Sequence, residues 1–65
     1  MPVVTIEMWE GRTPEQKRKL VKTVTSAVAK AIGCPEEAVV VVIHDLPKVN
    51  WGMGGELASD KLPMK

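Results

Sequence analysis

The sequence predicts an α/β fold in which one long helix crosses between two parallel strands, with a short hairpin near the C-terminus. Three observations predict it: the alternating run VVTIEMW at 3–9, an amphipathic stretch over 14–32 with clear start and stop residues, and the apolar run VVVVIHDL at 39–46. A helix between two strands returns the chain to the starting end of the sheet, so the strands lie parallel, and such crossovers are right-handed in nearly all folds.

In the first run, Val4, Ile6 and Met8 point one way and Val3, Thr5, Glu7 and Trp9 the other, which predicts a strand over about 2–8. Pro2 stands at its head. A residue without a backbone N–H belongs at a strand's first position or edge; alternatively, removal of Met1 would leave the Pro2 ring nitrogen as a free secondary amine. Both readings are open at this point.

Gly11 then supplies a turn, and Thr13, Pro14 and Gln16 stand as N-cap, first helical residue and capping-box partner. From there Leu20, Val21, Val24, Ala27, Val28, Ala31 and Ile32 recur at spacings of three and four, while Lys17, Arg18, Lys19, Lys22, Thr23, Ser26 and Lys30 fill the other face. This predicts a helix over 14–32, capped by Gly33 and stopped by Pro35. CPEEA at 34–38 forms a single turn. The second strand, 39–46, is apolar on consecutive positions, as a strand covered on both faces would be. Gly52, Gly54 and Gly55 predict a tight hairpin around GMGG, and the chain is expected to fray after Asp60.

Sixty-five residues make a single domain over 1–65, and a chain this short buries only about 60% of the surface that it exposes when unfolded. It needs reinforcement. Cys34 is the only cysteine, so no disulfide forms within the chain, and one Cys with one His makes no metal-ligand set. Partner subunits remain. One helix covers one face of a two-stranded sheet; burying even ~400 Å² of the other against another chain offsets about 10 kcal/mol of ordering cost.

Nine Lys and Arg against eight Asp and Glu give a net charge of +1, with no basic run and neither Phe nor Tyr, which argues against nucleic acid as partner. No stretch reads as a signal peptide or approaches the ~18 apolar residues of a membrane span. The expectation is a soluble, cytoplasmic protein without cofactor.

The opening MP before a strand, EGRTPEQK before the helix and WGMGGELAS near the end together resemble the 4-oxalocrotonate tautomerase family of the tautomerase superfamily, from Pro2 to Ser59. The resemblance implies a β-α-β tautomerase fold whose two-fold pairs build four-stranded sheets and whose three pairs form a homohexamer. It further implies that Met1 is removed and that Pro2 is the general base moving a proton within a 2-oxo acid or its dienol, such as 2-hydroxymuconate or phenylenolpyruvate. Arg12 then binds a substrate carboxylate, and Trp51, where phenylalanine is usual, forms an apolar wall. Val40 is the departure: the family's best-studied members carry there a second arginine that stabilises the developing enolate.

A base for this chemistry must be largely unprotonated at neutral pH, whereas an ordinary α-amino group titrates at about 7.7–8.0. An apolar pocket built by Val40 and Trp51 and a nearby Arg12 cation both disfavour the ammonium form. Arg12, otherwise a solvated loop residue, sits just before a helix N-terminus, where anions are favoured. Without a cation at Val40, slower turnover of the diacid is expected, with monoacids also accepted.

Other residues read more plainly. Trp9 is core or interface, Cys34 a small buried hydrophobe, and GMGG lacks the context of a phosphate loop. His44 and Asp45, adjacent on a strand, point to opposite faces and form no pair. Two alternative functions stand beside the tautomerase: a non-catalytic subunit of a hetero-oligomer, and a haloacrylate dehalogenase-like hydratase in which Glu7 or Glu10 activates water.

Overall fold

A computed structural model describes residues 1–61. Strand β1 spans Val3–Trp9, helix α1 Pro14–Ile32 and strand β2 Val40–Leu46; β3 (Gly52–Met53), β4 (Glu56–Leu57) and a short helix α2 (Ala58–Lys61) follow. Single 3₁₀ turns at Glu36–Ala38 and Lys48–Asn50 precede β2 and β3. β1 and β2 are parallel and in simple register, from Val3 opposite Val40 to Trp9 opposite Leu46.

The boundaries of α1 follow from its ends. The Thr13 hydroxyl accepts a hydrogen bond from the Gln16 N–H while the Gln16 side chain accepts one from the Thr13 N–H, so the capping box is complete. Gly33 ends the helix at φ 73°, donating its N–H to the Ala29 carbonyl. The β3–β4 hairpin turns through Gly54 and Gly55, at φ 61° and 85°, the pair of left-handed residues that a tight two-residue turn requires.

The covered face of α1 is narrower than its apolar spacing predicts. Leu20, Val21, Val24, Val28 and Ala29 are shielded, but Ala27, Ala31 and Ile32 are exposed, Ile32 by 61%. Nineteen residues of helix are about 28 Å long, whereas seven residues of strand reach about 23 Å, so the last turn overhangs the sheet. Fraying after Asp60 is also corrected in part: α2 continues through Lys61, anchored by Ala58, which is fully buried and donates its N–H to the Trp51 carbonyl at 2.7 Å. The expectation for 62–65 lies outside the described residues.

Val41 and Ile43 are half-buried on the helix side of β2, whereas Val40 and Val42 open to solvent beside Val3. Within one chain the second face of the sheet is therefore uncovered except at one end. Among the described residues only Ala29 and Ala58 are buried. The result is a slab of 42 × 25 × 13 Å with a radius of gyration of 14.8 Å, against about 10.7 Å for a compact chain of this length.

Candidate active site

Pro2 lies half-buried immediately before β1. Its carbonyl accepts the Val40 N–H at 3.0 Å, so the ring is tied to the first residue of β2 through its acceptor and is asked for no donor. The Pro2 nitrogen and Val40 thus occupy the same end of the sheet, and Val40 brings an aliphatic, partly exposed side chain and no charge.

Arg12 belongs to the other end. β1 finishes at Trp9, Glu10 extends the ladder by donating its N–H to the Leu46 carbonyl, and Gly11, at φ 119°, turns the chain toward α1. Arg12 then lines a hollow of about 230 Å³ with Met8, Gln16, Lys17 and Leu20. Lys17 is ion-paired with Asp45 of β2, and among the described residues no carboxylate pairs with Arg12. The hollow therefore offers a guanidinium beside the first turn of a helix, against an apolar floor of Met8 and Leu20, an arrangement suited to one end of a small carboxylate.

Trp51 is at this end too. Its ring meets that of Trp9 edge-to-face, with centroids 5.7 Å apart and planes at 76°, and the Lys48 ammonium stands 4.8 Å from the Trp9 ring centroid. Trp9 continues the open-face row of β1, so the segment after β2 folds over the last row of that face. The Trp9 indole N–H is buried without a hydrogen-bond partner among the described residues. Trp9, read from the sequence as core or interface, is thus half of a two-indole wall; its adjacency to Trp51 could not be read from residues 42 positions apart in the chain.

The structure therefore brings Pro2 to Val40, and Arg12 and Trp51 to a common end, but it separates the two groups by the length of β1, about 23 Å. No small acid can touch both within one chain. A further pair emerges that the sequence reading did not find: His44 Nδ1 lies 2.8 Å from Glu7 Oε2, directly across the β1–β2 register on the open face.

Comparison with known proteins decides the family. The family model described as "Tautomerase enzyme" matches residues 2–61. The chain belongs to the tautomerase family. Within that family it is similar to a 2-hydroxymuconate tautomerase of Comamonas testosteroni, at 47% identity over 60 residues, covering 92% of this chain and 95% of the relative. A solved structure from work on the 4-oxalocrotonate tautomerase isozymes of Methylibium petroleiphilum superposes with a TM-score of 0.84 at 52% identity, covering 89% and 94% of the two chains. Another, a heterohexameric 4-oxalocrotonate tautomerase from Chloroflexus aurantiacus, gives 0.87 at 33% identity, covering 92% and 97%. The β-α-β tautomerase fold is common to all of them, and among the described residues no helix is long and apolar enough to cross a membrane.

Proposed function

We propose that the protein is a cytoplasmic, homo-oligomeric tautomerase of one domain, without metal or cofactor, that moves a proton between oxygen and carbon of 2-hydroxydienoates and 2-oxo acids, with Pro2 as general base. The carrying observation is the placement of Pro2 and Arg12 at opposite ends of a strand whose outer edge is unpaired. Among the described residues β1 pairs only with β2. Pairing two copies antiparallel through that edge lays the head of each β1 beside the end of the other, so that Pro2 of one copy meets the Arg12 hollow and the indole wall of the next. Three such pairs make the hexamer.

In that composite site the Pro2 nitrogen takes the proton of the enol hydroxyl, the electron pair closes the C=O bond, and the ring ammonium returns the proton to a carbon of the diene. No proton is gained or lost overall. Arg12 holds the carboxylate by parallel N–H bonds, and apolar Val40 and the indoles disfavour the protonated amine. The amine must first be freed. Met1 is 90% exposed, so its removal sacrifices no packing.

The hydratase reading keeps only one of its two candidate water activators, Glu10, because Glu7 is engaged by His44. The non-catalytic reading predicts that the chain purified alone fails to assemble.

Intact-mass measurement of the native protein is expected to show loss of Met1, and the rate per site should rise with pH through a midpoint below the ordinary range of a terminal amine. Pro2→Ala, with a primary amine on a looser backbone, should lower kcat by on the order of 10²-fold. Retention of Met1, or full activity of Pro2→Ala with an unchanged pH profile, would overturn the assignment of the base.

A further inference from the structure

Four of the cations on α1, Arg18, Lys19, Lys22 and Lys30, stand exposed, whereas Lys17 is half-buried. Lys17 heads the shielded stripe of Leu20, Val21, Val24 and Val28, on the side of the helix that faces the sheet, and its ammonium is ion-paired with Asp45 of β2. The β1–β2 register explains the meeting. Asp45 lies opposite Met8, and with Val41 and Ile43 it forms the helix-side row of β2, where alternation would otherwise call for an apolar residue. The two side chains of the pair are 32% and 31% exposed. Lys17 and Met8 also line the hollow of about 230 Å³ that holds Arg12, and among the described residues lining it Arg12 and Lys17 are the only charged ones.

We infer that Lys17 is a second carboxylate-binding group of the Arg12 hollow, and that Asp45 both aims its ammonium at the hollow and moderates its pull on anions. The inference rests on the tautomerase reading above and adds to it the pair that sets how tightly the carboxylate end of the substrate is held. An ammonium carries three N–H donors, and the bond to Asp45 leaves others for a ligand. A carboxylate has about four acceptor positions; Arg12 fills two with parallel N–H bonds, and Lys17 reaches another from the helix side, while Met8 and Leu20 carry the carbon chain behind it.

The pair acts on a bound anion with two signs. A lysine free in water loses side-chain freedom when it reaches for a ligand, whereas one already held by Asp45 has lost that freedom on folding. The Asp45 carboxylate, in turn, sets a like charge near the bound anion and weakens its hold. Asparagine at position 45 keeps an acceptor for Lys17 and removes that charge. A pair that served only as a strap between helix and sheet would instead respond alike to the loss of either partner.

The test is calorimetric titration of adipate, an unreactive dicarboxylate, into the native protein and into Lys17→Gln, Lys17→Arg, Asp45→Asn and Arg12→Ala, with KM and kcat measured on 2-hydroxymuconate for each. Lys17→Gln should weaken adipate binding and raise KM by about three- to fivefold, and Asp45→Asn should tighten binding and lower KM by a similar factor, the upper range for a partly exposed ion pair. Lys17→Arg should stay within about twofold of the wild type, and kcat should move less than KM throughout. Weaker binding in both Lys17→Gln and Asp45→Asn reduces the pair to a strap and overturns the inference, as does unchanged binding in Lys17→Gln. If Lys17→Gln does not fold, unchanged or weaker binding in Asp45→Asn overturns it alone. A wild type that takes up no adipate, or an Arg12→Ala chain that binds it as the wild type does, overturns the hollow as the carboxylate site and this inference with it. The expected adipate pattern without turnover overturns the tautomerase reading instead and supports the role of the pair.

Discussion

Val40 stands where the Pro2 carbonyl is held, at 3.0 Å through its own N–H, and its side chain is partly open. An arginine can therefore be placed there without displacing packed neighbours. Enolate charge is commonly stabilised by donors worth about 3–4 kcal/mol, and this chain has no cation at the position. Val40→Arg should raise kcat on a diacid such as 2-hydroxymuconate more than on a monoacid such as phenylenolpyruvate, in a side-by-side steady-state comparison; an unchanged or lower diacid rate would remove this account of the missing charge. Arg12 acts differently, since it lines a hollow and has no carboxylate partner among the described residues. Its truncation to alanine should raise KM roughly ten- to a hundredfold, as expected from losing a charged hydrogen bond of about 1.5–3 kcal/mol, with a smaller effect on kcat.

At the scale of elements, α1 carries Arg12's position through its first turn. Thr13 and Gln16 exchange side-chain and backbone hydrogen bonds of 2.9 and 3.1 Å, and Gln16 itself forms part of the hollow around Arg12. Thr13→Ala removes one acceptor from an otherwise unsatisfied N–H and should cost about 1 kcal/mol in chemical denaturation. The same change should loosen the Arg12 hollow and raise KM slightly. At the other end, Gly33 adopts φ 73°, a conformation that costs a residue with a Cβ roughly 1–2 kcal/mol. Gly33→Ala is expected to destabilise the fold by about that amount while leaving KM alone, because the overhanging last turn lies far from Arg12.

For the molecule as a whole, a slab in which only Ala29 and Ala58 are buried among the described residues has little core of its own. Under the proposed assembly the missing burial comes from other copies, and association stabilises a folded chain by mass action. The midpoint of thermal unfolding should therefore rise with protein concentration, by several degrees over a hundredfold range. A concentration-independent midpoint would mean that the single chain is self-sufficient. If the site is the proposed composite one, activity should follow the same dependence, because Pro2 and Arg12 lie at opposite ends of a strand about 23 Å long.

The sequence by itself determined the features that act between chain neighbours. Alternation in VVTIEMW set β1 to within a residue, the Thr13–Pro14–Gln16 start and Gly33 stop set both ends of α1, and Gly54–Gly55 set the hairpin turn. The same local residues, in order, carried the resemblance that the family match bears out. What the tertiary structure decided depends on atoms brought together across the chain. The β1–β2 register placed Glu7 against His44, the fold of the C-terminal segment placed Trp51 against Trp9, and the mismatch in length between helix and strand left Ile32 bare. Pro2 and Arg12 are close in sequence yet held apart by an extended strand. Each of these outcomes is set by packing between elements, which no run of neighbouring residues encodes alone.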